Sequence, residues 1–131
     1  MTYLNETTAV IALILMALVA KGFGSHVTLR GHSPVNYLMQ GIFIGSIGIS
    51  GRIALYDFIR PVMRFYDLLA GPGAALDVQI YNAGFNCIFA LAAWRILVAL
   101  HASLPEDDRA NYTWLTAPFY PARINLFRFN R

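Results

Sequence analysis

Arg52 is the residue with the most chemistry to account for. It closes a run from Val35 to Gly51 that carries no charge, and a guanidinium at the end of such a run is expensive unless it faces a partner, a cavity or a bundle interior. Gln79, Asn82 and Asn86 recur at i, i+3 and i+7 in a second run that is free of charge from Val78 to Trp94, and Ala90 and Ala93 continue that helical face. Amides facing lipid would be costly, so this face is expected to turn toward other helices. If the two runs are antiparallel helices, Arg52 and Asn82 stand at similar depth, with Asn86 one turn deeper. The expectation is an intramembrane polar group of Arg52, Gln79, Asn82 and Asn86, with an Arg52–Asn82/Asn86 hydrogen bond and Asp77 as counter-ion. Structural glue or a snorkelling arginine is the plainer alternative to an ion pathway.

The other reactive side chains form no set. His26, His32 and His101 have no ligand-type spacing with one another or with a carboxylate, so no metal or cofactor is expected and they read as interfacial. Cys87, the single cysteine, sits among Phe85, Ile88 and Phe89 and reads as a buried small apolar residue; no disulfide can form within the chain. There is no Gly-rich phosphate loop, no HExxH, no CxxC and no Ser/His/Asp arrangement, so the chain is not expected to be an enzyme.

The elements that carry these residues follow from composition. Of 131 residues 57% are hydrophobic and 13% charged, with mean hydropathy +0.51. Soluble domains carry about 25% charged residues, and so short a chain could not bury this much apolar surface in one core. The apolar residues gather in three blocks, which predicts an all-α integral membrane protein in one domain with spans at about 7–23, 34–58 and 76–102. An interfacial helix and an extended tail would occupy 103–131. Glu6 before the first block and Lys21 after it argue for an uncleaved span rather than a signal peptide.

Local signals refine the boundaries. Ser33 followed by Pro34 is a helix start. Pro61 is expected to kink or end the second helix near Arg60, with a short interfacial helix from about Pro61 to Ala70. Ser103-Leu104-Pro105-Glu106 has capping-box form and predicts a helix running to about Trp114. Gly41, Gly45 and Gly48 share one face of the second helix, a helix-packing face of the GxxxG type that suits another span of the same chain or a second copy. The tail residues Phe119, Tyr120, Arg123, Phe127, Arg128 and Phe129, held extended by Pro118 and Pro121, suit docking to a partner or to lipid headgroups.

Charge distribution orients the chain. The first loop and the tail hold Lys21, Arg30, Arg109, Arg123, Arg128 and Arg131, against Arg60 and Arg64 on the other side. The bias toward cytoplasmic Lys and Arg puts the N-terminus outside and the C-terminus in the cytoplasm. The net charge of +3 is dispersed, without the basic cluster that tracks nucleic acid. The partners expected are the lipid bilayer and other membrane protein subunits or copies of itself.

Size, three spans, this charge pattern and a polar basic tail resemble three-span phage holins and other small phage-encoded membrane proteins. That resemblance implies a protein that oligomerises and permeabilises the bacterial inner membrane. Read from its residues alone, the chain is a non-enzymatic subunit packing laterally into a larger assembly, in a virion membrane or an energy-transducing complex. A small transporter or channel component is a third reading, requiring Arg52 and the amides to line water.

Overall fold

The computed structural model describes residues 2–27, 31–66 and 74–121. They are all-helical: α1 (Thr2–Gly24), α2 (Pro34–Ile53), a π-helical segment (Ala54–Ile59), α3 (Arg60–Phe65), α4 (Ala74–Ala102), α5 (Glu106–Arg109) and a 3-10 turn (Ala117–Phe119). Three stretches are long and apolar enough to cross a membrane: Tyr3–Gly24, Pro34–Phe65 and Val78–Ala102. The two hydroxyls at the start of the first block are no obstacle. Thr7 and Thr8 donate to the carbonyls of Tyr3 and Leu4 at 2.7 and 2.8 Å, so they need no outside partner.

Ser33 caps α2 as its type predicts. Its backbone is extended, its Oγ accepts from the Asn36 amide at 3.2 Å, and Pro34 takes the first turn. The Asn36 side chain then donates to Gly31 O at 2.7 Å, tying the preceding loop to the helix it starts.

Pro61 does not end the helix. α2, the π segment and α3 run on as one 32-residue rod, so the second apolar helix extends beyond residue 58 to Phe65. Pro61 has no N–H to offer Asp57 O, and its ring would press on that carbonyl. The backbone widens just before it, and the Arg60 N–H reaches back five residues to Leu55 O. Arg60–Phe65 therefore extends α2 and is not a separate helix; the remainder of the expected interfacial helix lies outside the described residues.

α2 is the middle of the assembly. It packs along both α1 and α4, which share at most a marginal contact with each other, so the three helices form an open layer and not a closed bundle. Few side chains among the described residues are consequently enclosed: Ala92, Ala99, Leu104 and Ala117 are the most buried apolar ones there, beside Asn36, Gln40, Ser46 and Arg60.

The segment after α4 folds back on its end. Ser103 is not an N-cap; its Oγ donates to Ala99 O at 2.7 Å, and Pro105 holds the cap position of α5 with no side-chain bond. Without that cap α5 is four residues long and gives way to turns before Trp114. What holds the segment is Arg109, whose Nη2 donates to Ala102 O and Leu104 O at 3.1 and 3.0 Å, where α4 leaves carbonyls unpaired. His101 Nε2 lies 2.8 Å from Tyr112 O, which requires that nitrogen to carry the proton.

Candidate functional site

The glycine face of α2 lies on α4. A Cβ built on Gly41 would stand 2.6 Å from Ile96 Cγ1 and 2.9 Å from Ala92 O. One on Gly48 would meet Ile88 and Phe89 at 2.9 Å, whereas one on Gly45 finds only Ala92 Cβ at 3.7 Å. Gly41 and Gly48 thus make the close approach, and Gly45 has room for a methyl group. The three glycines serve contact within the chain.

That contact sets the register that brings Tyr56 to Asn82. The Tyr56 hydroxyl donates to Asn82 Oδ1 at 2.8 Å, and its ring tilts against Phe85 with centroids 6.3 Å apart. Arg52 therefore does not hold Asn82. Its guanidinium lies 6.0 Å from the Tyr56 ring centroid, while Arg60 approaches the same ring at 5.4 Å. Tyr56 wins the amide because it lies one turn beyond Arg52, level with Asn82 across the interface, and its rigid ring delivers the hydroxyl there. Sequence reasoning passed over Tyr56; its signal was the four-residue step from Arg52 onto a helix face already marked as inward.

Arg52, Ile53, Tyr56, Asp57 and Asn82 line one cavity of about 350 Å³. Arg52 and Asp57 are exposed, Asn82 half-buried. Arg60 is 6% exposed, and its Nε has no hydrogen-bond partner. A buried guanidinium of this kind is tolerated through the face of an aromatic ring, worth up to about 2 kcal/mol when desolvated. The remaining members of the expected polar group do not reach this cavity. Gln79 and Asn86 are exposed on the side of α4 away from α2, because the facing side is taken up by Phe85, Ile88, Phe89, Ala92 and Ile96. Cys87 is exposed on that outer side too and is not a core residue, since it lies next to Asn86 rather than in the Phe85–Phe89 contact. The side chain of Asp77 is outside what is described.

Two further cavities flank α1. One of about 430 Å³, lined by Glu6, Thr7, Asp57 and Pro61 among others, puts the start of α1 level with the π segment. The other, about 700 Å³, is almost wholly apolar and lies between α1 and α2 at the opposite end, with His26, Phe23 and Met39 on its wall. At that end His32 Nδ1 is 2.9 Å from the Tyr37 hydroxyl, and Arg95 lies over Trp94 and Tyr37 at 4.5 and 6.0 Å. The three histidines sit apart, and among the described residues no group of His, Cys, Asp or Glu could hold a metal ion.

Of the tail residues, Phe119 is 80% exposed. Tyr120 is not extended outward: its hydroxyl donates to Asp108 Oδ2 at 2.6 Å and its ring meets Tyr112 edge-on. That bond to a carboxylate, with burial and the carboxylate's charge adding to it, raises the phenol's pKa above its ordinary 10.0. Arg123, Phe127, Arg128 and Phe129 lie outside the described residues.

No protein-family model matches the chain, and no solved structure does.

Proposed function

We propose that the chain is a non-enzymatic integral membrane subunit that packs sideways into a larger membrane protein assembly. The carrying observation is the outer side of α4. Gln79, Ala83, Asn86, Ala90 and Ala93 are all exposed, spaced four and three residues apart along a helix with no charge between Val78 and Trp94. Small residues at this spacing let another helix come close, and an amide in hydrocarbon gains most when a neighbouring helix bonds it. The glycine face cannot serve the same purpose, since it already lies against α4.

The membrane is a bacterial inner membrane or a virion membrane, with the N-terminus outside and the C-terminus in the cytoplasm. Asn86→Leu should leave membrane insertion intact and release the chain from its assembly in native gels of mild detergent extracts. Unchanged co-migration would sink the lateral-packing reading. A ladder of copies of this chain alone, with lysis on expression, would instead favour the self-associating, holin-like reading. Orientation is tested by labelling Thr2→Cys and Asn130→Cys separately in a Cys87→Ala background; outside labelling at 130 with protection at 2 overturns it.

A further inference from the structure

Around Tyr56 there is more cation than the described side chains answer. Two guanidiniums converge on one ring, Arg52 from the exposed side and Arg60 from the buried side. The carboxylate beside them is Asp57, on the rim of the same cavity. Neither arginine forms an ion pair with a described side chain, and Arg60 Nε has no hydrogen-bond partner. The Tyr56 hydroxyl occupies Asn82 Oδ1, which fixes the amide with its NH2 group as the donor that remains. The cavity thus combines an exposed guanidinium, an amide donor and a separate carboxylate, in about 350 Å³, at the small end of the range for small-molecule sites.

We propose that this cavity holds the headgroup of a phospholipid bearing a primary amine. The phosphodiester would take the Arg52 guanidinium and the Asn82 NH2, with Arg60 adding positive potential from behind the ring. The ammonium would take Asp57. A purely anionic headgroup leaves Asp57 opposed to like charge, and a quaternary amine has no N–H to give it.

The surroundings favour a lipid over a free phosphate ion. Ile49, one turn from Arg52 toward the middle of α2, is exposed, so an acyl chain leaving the cavity has an apolar surface to follow. On the other side Glu6, Asp57 and Pro61 border a common cavity, a level where polar groups collect and headgroups belong. Tyr56 and Arg60 stand four residues apart and so share a face of the rod, which the π segment keeps continuous through Pro61.

The site presupposes a bilayer but not the lateral packing of α4, and the two fail separately: Asn86→Leu reads assembly, Arg52→Gln reads lipid. The experiment is native mass spectrometry of the full chain in detergent, supplied separately with phosphatidylethanolamine, phosphatidylcholine, phosphatidylglycerol or inorganic phosphate. Phosphatidylethanolamine should be retained over phosphatidylcholine. Arg52→Gln, an exposed position, should lower retention roughly tenfold, the scale of one charge-assisted hydrogen bond. Asp57→Asn should remove the preference for the amine headgroup and keep phosphatidylglycerol, and Arg64→Gln should change nothing. Equal retention by Arg52→Gln, or no preference between the ethanolamine and choline lipids, overturns the assignment. Displacement of the lipid by inorganic phosphate alone would make this a free-anion site and overturn the lipid.

Discussion

Gly41→Ala is the sharpest test of the α2–α4 contact. Its new Cβ would lie 2.6 Å from Ile96 Cγ1 and 2.9 Å from Ala92 O, where an ordinary carbon contact needs about 3.5 Å. Ile96 can rotate away, but Ala92 O is backbone in the middle of a helix. The two helices must therefore part by roughly half an ångström along this stretch. Overpacking of this sort costs about 1–3 kcal/mol, against which alanine's better helix propensity returns under about 1 kcal/mol. Gly45→Ala is the internal control, because its Cβ meets only Ala92 Cβ at 3.7 Å. It should be neutral or slightly stabilising. Gly48→Ala should fall between them, its 2.9 Å neighbours being side chains of Ile88 and Phe89 that can yield. Reversible unfolding in mixed micelles, followed through Trp94 fluorescence, gives the order directly. Gly41→Ala as stable as Gly45→Ala would refute the register of α2 on α4, and with it the placement of Tyr56 opposite Asn82.

Tyr56→Phe removes the 2.8 Å bond to Asn82 while keeping the ring beneath both arginines. It should cost about 0.6 kcal/mol, and at most ~1.7, in the same unfolding assay; a more stable variant would contradict the bond. Arg109→Gln withdraws the donor from Ala102 O and Leu104 O, so amide exchange should accelerate over 103–120 while α1 and α2 stay protected. Uniform protection there would mean that Arg109 does not hold the segment. The Tyr120–Asp108 contact predicts a direction in pH. Because the folded phenol's pKa is raised, its contribution is complete below the unfolded value near 10.0 and is lost as pH climbs through the higher folded one. Ultraviolet titration of wild type against Tyr120→Phe should therefore show one tyrosine ionising late, and its ionising at or before the free phenol would dismiss the contact.

Hydropathy alone determined the three long apolar helices, because the length and polarity of a block are properties of the chain and not of its partners. The start of α2 was equally legible: an N-cap is made by Ser33 and its own next residues, within one turn. The glycine face could be read as a packing face, since spacing says which residues share a side. That α4 fills it was open, because periodicity carries no information about what arrives from elsewhere. Tertiary contact decided the polar centre too. Arg52 and Asn82 line one cavity, but the bond to α4 comes from Tyr56 of the π segment, whose hydroxyl meets Asn82 only in the register that Gly41 and Gly48 permit. The passage through Pro61 was likewise beyond local rules. A proline lacks one donor and crowds one carbonyl, and whether a helix breaks or widens to a five-residue bond at Arg60 depends on whether the rod it prolongs is held by neighbours. At the other end, Arg109 bonds the carbonyls of Ala102 and Leu104 and His101 of α4 bonds Tyr112 O, pairings that only the fold-back of the segment onto α4 decides.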